Sequence, residues 1–236
     1  MSPSTITLWD GRLDLDGLLP DTLRASLDDT EKQRGLRAIT PRDGRRFTVT
    51  RGALRSILAF QLAASPRSLR LGTSADGKPF LVDHPELHFN LSHAGDRFLV
   101  AVSRDGPVGV DLEPVPDERT LSGTRRRVLS APESALFDAL AGGERREWFA
   151  RLWTRKEAYI KGDGRGLRLD LTLIDVMTRA PEVLLRKSAA DDRAASAEWA
   201  ARSVAADAGY AAAVAAEGEA WEVERIHWPG PIPLAG

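Results

Sequence analysis

The sequence predicts an α+β protein built from two similar halves. In each half, segments with the apolar spacing of helices come before segments that alternate or run apolar in the manner of strands. Pro114 and Pro116 follow the clearest strand region, and proline interrupts a strand, so they suggest a boundary. We therefore expect an N-terminal half over residues 1–114 and a C-terminal half over residues 115–236.

Two helices are predicted in the first half. An arginine-rich helix covers residues 23–37 and begins after Pro20. A longer helix begins near Pro41 and ends before Pro66. Its apolar residues recur at i+3 and i+4 spacing, and they are Phe47, Leu54, Ile57, Leu58 and Leu62.

Three short strands come next, over residues 88–92, 98–102 and 108–113. Turn sequences separate them, with Gly95 in the first turn and Gly106 in the second. Consecutive strands joined by tight turns predict a three-stranded antiparallel meander.

The second half begins with helical signals. Ser130 and Glu133 have the spacing of a capping box, in which each side chain bonds the other residue's backbone N–H. A second helix is predicted over residues 144–160, with Phe149 and Trp153 on its apolar side. The remaining segments are predicted strands, over residues 171–177, 183–186, 198–204, 210–216 and 221–226.

The composition is that of an ordinary globular protein. The chain has 236 residues, 42% of them hydrophobic and 28% charged, which argues against wholesale disorder. The formal net charge of −1 gives no general reason to expect nucleic-acid binding. No apolar run approaches the roughly 18 residues of a membrane span, and a signal-peptide pattern is absent. Without cysteine, disulfides and thiolate metal sites are excluded. We expect a cytoplasmic location.

Three carboxylates and two lysines, Lys156 and Lys161, have the spacing that a metal-held pyrophosphate requires. Alternation along the third strand sends Asp111 and Glu113 to the same face. On the helix, Glu157 and Lys161 share a stripe with Trp153 at i, i+4 and i+8. A hard divalent cation binds carboxylate oxygens, and a lysine beside it binds phosphate. The sequence therefore predicts cation and pyrophosphate binding between this strand and this helix.

Both fragments also have a purely structural explanation. An Asp-x-Glu pair on a strand is usually solvated, and Glu157 with Lys161 could be an exposed ion pair worth about 0.3–0.5 kcal/mol. That explanation does not account for the stripe shared with Trp153, because a buried unpaired carboxylate is costly. A divalent cation shared with Asp111 and Glu113 would supply the partner that Glu157 needs.

Two further motifs carry polar groups. Asn90 and Ser92 share one face of a strand, and His93 follows at its end, where such groups can bond a phosphate or a ribose. A single histidine is nevertheless more often structural. Lys78 and Pro79 follow Gly77 and form either a simple turn or a nucleotide contact.

Two other stretches allow competing interpretations. Residues 162–167 are rich in glycine but lack the lysine-serine ending of a phosphate loop, so they predict a helix exit. Arg125, Arg126 and Arg127, with Arg119 upstream, form either a solvated face or a docking patch for an acidic partner.

Three motifs in this order and spacing resemble the 4′-phosphopantetheinyl transferases of the Sfp (surfactin-activating) type. They are residues 90–93, 108–113 and 153–161, and residues 77–79, 130–136 and 164–167 are also similar to that family. The resemblance implies a pseudo-twofold monomer of two α+β halves with coenzyme A in the cleft between them. It also implies Mg²⁺-dependent transfer of phosphopantetheine from coenzyme A to a serine of an acyl or peptidyl carrier protein, with release of 3′,5′-ADP.

The resemblance further implies roles for the matching residues. The metal ligands would be Asp111, Glu113 and Glu157, and Lys161 would contact the pyrophosphate. The nucleotide would be contacted by Arg46, Lys78, Pro79, Ser92 and His93, with Arg46 and His93 at the 3′-phosphate. Glu133 and Lys156 would be the candidates for handling the proton of the serine.

Two other functions remain open from the residues alone. A metal-dependent pyrophosphate hydrolase would use the same carboxylates to activate water. A non-catalytic module that binds coenzyme A or a carrier protein is the alternative outside enzymes.

Overall fold

The computed structural model describes residues 3–15, 19–164, 169–176, 182–187 and 199–231. The helices are α1 (Leu19–Ser26), α2 (Asp29–Leu36), α3 (Pro41–Leu62), α4 (Glu118–Val128), α5 (Ala131–Asp138) and α6 (Gly142–Asp163). The strands are β1 (Ser4–Arg12), β2 (Leu71–Thr73), β3 (Pro79–Leu81), β4 (His88–Ala94), β5 (Arg97–Ser103), β6 (Val108–Pro114), β7 (Ile174–Val176), β8 (Glu182–Lys187), β9 (Trp199–Val204), β10 (Tyr210–Glu217) and β11 (Trp221–His227). Short 3₁₀ turns cover Pro66–Ser68 and Leu171–Leu173. The predicted α+β class is confirmed.

Two sheets form the centre of the molecule. The first has strand order β11-β1-β5-β4, and the second has order β6-β10-β9-β8-β7. A separate hairpin pairs β2 with β3. Strands β1 and β11 are parallel, although more than 200 residues separate them, as the register Ile6↔Val223 shows. Sheet membership therefore does not follow the expected division at residue 114, because β6 joins the second sheet and β11 joins the first. The division itself stays a prediction.

The predicted meander is wrong in its third strand. Strands β4 and β5 pair as expected, with Asn90 opposite Ala101. Strand β6 instead pairs with β10, with Asp111 opposite Ala213. The physical reason is packing on both faces: β6 adds its apolar residues to a core shared with the first sheet, while its other face lies against α6. Pairing with β5 would not offer both surfaces.

The two sheets face each other across a shared apolar core, and a long helix covers each outer face. Ile6, Leu99 and Val110 belong to the shared core. On the first sheet, the alternate residues pack with α3. On the second sheet, the alternate residues pack with α6. The order of layers is therefore α3, first sheet, second sheet and α6, and each of the two helices has 22 residues.

Helix α6 lies unusually close to β6 because two glycines meet at the contact. A Cβ placed on Gly109 would lie 1.9 Å from the carbonyl oxygen of Ala158. A Cβ on Gly162 would lie 2.5 Å from the ring of Trp199. Only glycine permits this approach, and the approach brings the carboxylates of β6 towards those of α6.

Capping residues set several helix boundaries. The helix predicted over residues 23–37 is in fact two helices, because Asp28 and Glu31 form a capping box that starts α2. The predicted capping box of Ser130 and Glu133 is confirmed at the start of α5. Of the predicted segments, residues 165–167, Met177 and Glu198 lie outside the described residues. Among the helices that the structure describes, none has the length and apolar character needed to cross a membrane.

Candidate active site

The alternation predicted for β6 is confirmed. Val110 and Leu112 point into the shared core. Asp111 is fully buried and bonds Lys161 of α6, with 2.5 Å between Lys161 Nζ and Asp111 Oδ1. Ser92 of β4 donates its hydroxyl to the same Oδ1 atom at 3.0 Å, and it accepts from Lys161 Nζ at 3.0 Å. Three elements therefore meet at one carboxylate oxygen.

The second oxygen of Asp111 is in a different situation. Asp111 Oδ2 is buried and has no hydrogen-bond partner among the residues that the structure describes. An ionised carboxylate oxygen that is removed from water without a partner is strongly destabilised. Such an atom indicates that a ligand binds here, and an ionised carboxylate oxygen can coordinate a cation.

The two glutamates lie in the electrostatic field of Asp111. The pKa of Glu157 is raised to about 7, chiefly by burial and then by repulsion from Asp111 and Glu113, with Lys161 acting against the shift. Burial, followed by repulsion from Asp111, also raises the pKa of Glu113. The charge of Lys161, and then a hydrogen bond from Trp153, act against that shift. All three carboxylates therefore share one poorly solvated space in which their charges repel one another.

These residues fit a divalent cation, although they do not form a closed metal cage. Within the described part of the chain, no group of three or more His, Asp or Glu side chains has the arrangement of a formed metal site. The ammonium of Lys161 lies against Asp111 instead, so one positive charge already faces the acids. The orphaned Asp111 oxygen and the raised pKa values of both glutamates show that this one charge does not satisfy the cluster. Carboxylate oxygens are the donors that hard cations such as Mg²⁺ prefer.

The edge of β6 that faces away from β10 is bonded by side chains instead of by another strand. The backbone N–H of Val110 donates to Asn90 Oδ1 at 2.9 Å. The N–H of Leu112 donates to Ser92 Oγ at 3.2 Å. The ammonium of Lys78 bonds the carbonyl of Gly162 at 2.6 Å and that of Val108 at 3.4 Å. These contacts fix β6 relative to β4 and to the end of α6, and so they fix the position of Asp111.

A cavity of about 270 Å³ opens beside the acids. Its lining includes Lys78, Pro79, Glu157 and Lys161. Burial lowers the pKa of Lys78 to about 8, and Asp163 opposes this shift. The cavity therefore brings two predicted lysines and one predicted metal ligand to a common space.

A larger cavity of about 1110 Å³ lies on the first half, and it is lined by Arg46 and His93. Arg46 contacts Asp96 and the carbonyl of Gly95, while its Nε atom is buried without a partner among the described residues. Desolvation by its surroundings, and then the charges of Lys161 and Arg46, lower the pKa of His93. Leu91 lines both cavities, so they lie on either side of one residue of β4.

Glu133 and Lys156 are placed apart from the acid cluster. Lys156 is fully buried, and its Nζ lies 2.5 Å from Glu133 Oε2. Neither residue lines the cavity of Glu157 and Lys161. Their predicted part in proton handling stays a prediction.

Two contacts that position the acid cluster were not predicted from the sequence. The bond from Trp153 to Glu113 was missed, although the stripe shared with Glu157 and Lys161 was recognised. Asn90 is expected only as a polar group able to bond a phosphate or a ribose, whereas in the structure its side chain accepts from the N–H of Val110 in β6. The available signal was the position of an amide within an apolar strand, since a buried amide requires a partner.

The fold and the site define a two-halved α+β protein in which acids, lysines and a hydroxyl converge between β4, β6 and α6. Comparison with known proteins agrees with this description. A family model described as the 4′-phosphopantetheinyl transferase superfamily matches residues 107–215. A second, described as the N-terminal part of 4′-phosphopantetheinyl transferases, matches residues 21–105.

Individual relatives carry the same family name. The 4′-phosphopantetheinyl transferase HetI of Nostoc sp. is 32% identical over 94% of this chain and 92% of its own length. The putative 4′-phosphopantetheinyl transferase slr0495 of Synechocystis sp. is 36% identical over 61% of this chain and 59% of its own length. The enzyme Sfp of Bacillus subtilis is 32% identical over 52% of this chain and 54% of its own length.

The chain therefore belongs to the 4′-phosphopantetheinyl transferase family. Members of this family are enzymes that transfer the phosphopantetheine arm of coenzyme A to carrier proteins, and that transfer is the activity of this protein.

Proposed function

We propose that this enzyme performs the transfer with Mg²⁺ held by Asp111, Glu113 and Glu157. The observation that carries the proposal is the buried, unpartnered Oδ2 of Asp111 beside two glutamates of raised pKa. A bound Mg²⁺ would neutralise the charge that develops on the pyrophosphate as 3′,5′-ADP departs. The remaining work is positioning, which falls to the residues of the chain.

We place coenzyme A along the two cavities that Leu91 separates. The adenosine 3′-phosphate would lie in the larger cavity with Arg46 and His93, because that cavity carries the unpartnered guanidinium nitrogen. The pyrophosphate would lie in the smaller cavity with Lys78, Pro79 and Lys161. Ser92 lines neither cavity, but its hydroxyl accepts from Lys161 Nζ and so holds that lysine in place. On this path Arg46 and His93 would contact the nucleotide at one end, and Lys78, Pro79 and Lys161 would contact it at the other.

In the reaction, the serine hydroxyl of the carrier forms a bond to the phosphorus that bears pantetheine. The bond from that phosphorus to the bridging oxygen breaks, and 3′,5′-ADP leaves. Lys161 would donate to the pyrophosphate oxygens and lower the energy of the charge on the leaving group. The serine proton passes to water as the new bond forms, so the products are the modified carrier, 3′,5′-ADP and one proton.

The test is mass spectrometry of an apo-carrier protein after incubation with the enzyme, coenzyme A and Mg²⁺. We expect the carrier to gain one phosphopantetheine arm and 3′,5′-ADP to appear only when the carrier is present. Release of 3′,5′-ADP at equal rates with and without carrier would identify a pyrophosphate hydrolase instead. A preparation that binds coenzyme A but gives neither product would identify a binding module.

We further propose that the protein is of the Sfp type, with acyl or peptidyl carrier proteins as partners. The motifs of β4, β6 and α6 support this assignment, and so does the likeness to Sfp over about half of each chain. A panel of apo-carriers from fatty-acid, polyketide and peptide synthesis would test it. Modification confined to fatty-acid carriers would contradict the Sfp assignment.

Helix α4 is the proposed docking surface for an acidic carrier. Arg126 and Arg127 are exposed there, while Arg125 bonds Asp138 at 3.1 Å. A cavity of about 350 Å³ connects Arg127 with Trp153, whose indole bonds Glu113. The arginine face thus lies next to the acid cluster, where the serine of the carrier must arrive.

We predict that replacing Arg126 and Arg127 by glutamine raises the KM for an acidic carrier by about 3- to 10-fold. The KM for coenzyme A should be unchanged, because neither residue lines the nucleotide cavities. Arg37→Gln is the matched control. Arg37 lines the larger cavity, so its replacement should leave the KM for the carrier unchanged. Equal effects of the α4 variant on both KM values would contradict docking at this helix.

We also propose that the enzyme acts as a monomer in the cytoplasm. Each acid, lysine and hydroxyl of the proposed site comes from one chain. Light scattering of the active enzyme would test the monomer, and a dimeric mass at assay concentration would contradict it.

A further inference from the structure

We infer that Glu133 and Lys156 are positioning residues that orient α6, and that neither handles the proton of the carrier serine. The inference rests on the proposed function, because it assigns how Glu157 is held for that reaction. It is carried by the burial of both side chains and by the hydrogen bonds that occupy them.

Lys156 has no ammonium proton left for a substrate. Its Nζ bonds the carbonyl of Val128 at 2.6 Å, Glu133 Oε2 at 2.5 Å and the carbonyl of Leu171 at 3.0 Å. An ammonium group has three donors, and these three acceptors match them. The side chain is 0% exposed. Proton exchange with a substrate would require this arrangement to open.

Glu133 is equally occupied. Its Oε2 accepts from the N–H of Ser130 at 2.8 Å as well as from Lys156. Its Oε1 accepts from the N–H of Val176 at 2.9 Å. The side chain is 3% exposed. Both carboxylate oxygens are therefore bonded and shielded from solvent, so a substrate hydroxyl could reach them only if this arrangement opened.

Together the two residues join five parts of the second half. Lys156 belongs to α6 and contacts the end of α4 through Val128. The same ammonium reaches the 3₁₀ turn at Leu171, while Glu133 connects the start of α5 with β7 at Val176. We call Glu133, Lys156 and the hydrogen bonds they make the hub. Glu157 follows Lys156 directly along α6, so the hub fixes the rotation of the helix, and that rotation determines where Glu157 points.

The same hub also supports Trp153. Leu171 and Trp153 line one cavity, and the carbonyl of Leu171 is bonded by Lys156. Trp153 in turn bonds Glu113. Loss of the hub should therefore disturb two of the three acids, and the loss should reduce kcat more than it weakens coenzyme A binding.

The test compares Lys156→Met with the double variant Glu133→Gln/Lys156→Met, by thermal unfolding and by kcat and KM for coenzyme A. Lys156→Met leaves Glu133 charged, buried and without its cation, so the unfolding temperature and kcat should both fall. We expect a fall of about 10-fold or more in kcat and less than about 3-fold change in KM. The double variant removes both charges, and it should recover kcat to within about 10-fold of the wild type.

If Glu133 or Lys156 handled the proton of the carrier serine, the double variant would give the opposite result. The double variant has no group able to exchange a proton at either position, so kcat would stay reduced by about 100- to 10,000-fold in the folded protein. That outcome would overturn the inference. Should the double variant fold poorly, Lys156→Arg decides, because arginine keeps the charge and the donors but does not lose a proton at working pH. Retained activity in Lys156→Arg supports positioning, and a folded but inactive variant opposes it.

Arg55→Met provides the matched control. Arg55 is 0% exposed, it bonds Glu31 and Asp28 in the first half, and it lines neither of the two nucleotide cavities. Its loss should lower the unfolding temperature and leave kcat unchanged in assays well below that temperature. If Lys156→Met behaves in the same way, the hub is merely structural and positioning is refuted. If the wild-type enzyme modifies no carrier, the proposed function fails instead, which is a separate outcome.

Discussion

Asp111 is held by two neighbours, but only through one of its oxygens. Ser92 and Lys161 both bond Oδ1, while Oδ2 is buried without a partner among the described residues. Within the described part of the chain, Lys161 is the cation that acts on both glutamates, so three acids face one ammonium in a poorly solvated place. At the scale of single residues, this imbalance is what favours a divalent cation.

Asp111→Asn should weaken metal binding strongly while preserving the fold. Asparagine can keep the bonds to Ser92 and Lys161, but it lacks the charge that a cation requires. We expect transfer to fall by at least about 100-fold and Mn²⁺ affinity, measured by calorimetry, to fall by at least about 10-fold. Asp83→Asn, at an exposed aspartate paired with Arg70, is the control and should change neither. Wild-type Mn²⁺ affinity in Asp111→Asn would contradict the metal assignment.

Glu157→Gln should stabilise the metal-free protein at high pH. The pKa of Glu157 rises from 4.5 in the unfolded chain to about 7 in the folded protein. Between these values the unfolded chain loses a proton that the folded protein retains, so stability falls as pH rises, and the loss is complete above the folded pKa. At about pH 8, with chelator present, we expect the variant to gain roughly 2 kcal/mol in free energy of unfolding.

The gain should vanish at about pH 4.5, where the wild-type carboxyl is protonated in the folded state and carries little penalty. Denaturant unfolding at both pH values measures the difference. A gain that does not depend on pH would show that the substitution acts through packing, and the proposed crowding of the three acids would then be wrong.

At the scale of elements, the contact of β6 with α6 decides whether the acids can meet. Gly109 and Gly162 remove the side chains that would separate strand from helix. Asn90 and Ser92 then bond the outer N–H groups of β6, which would otherwise be open to another strand. The caps of Asp28 and Ser130 set where α2 and α5 begin.

Gly109→Ala should therefore reduce both stability and metal affinity. The new methyl would lie 1.9 Å from the carbonyl oxygen of Ala158, so helix and strand must move apart. We expect a loss of about 2–4 kcal/mol in free energy of unfolding, measured with denaturant. Gly123→Ala is the control, because nothing lies within 4 Å of a Cβ there and its helix should gain up to about 1 kcal/mol. Equal effects at both glycines would contradict the close-contact explanation.

At the scale of the whole molecule, the two halves exchange strands. Strand β6 from the first half of the chain pairs with β10, and the C-terminal β11 pairs with β1. Residues of both sheets form the core between them, including Leu8, Leu99 and Val214. The acids also come from both parts of the chain. Asp111 and Glu113 lie on β6, within residues 1–114, and Glu157 lies on α6, within residues 115–236.

Residues 1–114 and 115–236 should therefore not fold as independent units. Expressed alone, the first piece lacks β11 and exposes β6, and the second lacks the strand that covers β10. We expect little cooperative thermal unfolding in either piece and no transfer activity. Mixing the pieces should restore some activity if they reassociate. Full cooperative folding of an isolated piece would contradict the strand exchange as a source of stability.

Much of the site followed from local patterns. Three features depend only on backbone geometry within a few residues. They are the alternation that directs Asp111 and Glu113 to one side, the stripe of Trp153, Glu157 and Lys161, and the capping box of Ser130. Such features can be recognised in a sequence because every side chain involved is near its neighbours along the chain. The α+β class followed from the same kind of signal.

Strand partners and burial were decided by tertiary structure. The pairing of β6 with β10 joins residues about 100 positions apart, and that of β1 with β11 joins the two ends of the chain, so no turn between adjacent strands predicts them. The burial of lysines likewise depends on carbonyls that are distant in the chain. Lys156, which is paired with Glu133, bonds the carbonyl of Leu171, and the ammonium of Lys78 bonds the carbonyl of Val108. Chemical type is a property of each residue, but the access of solvent and substrate to it is set only when remote segments pack together.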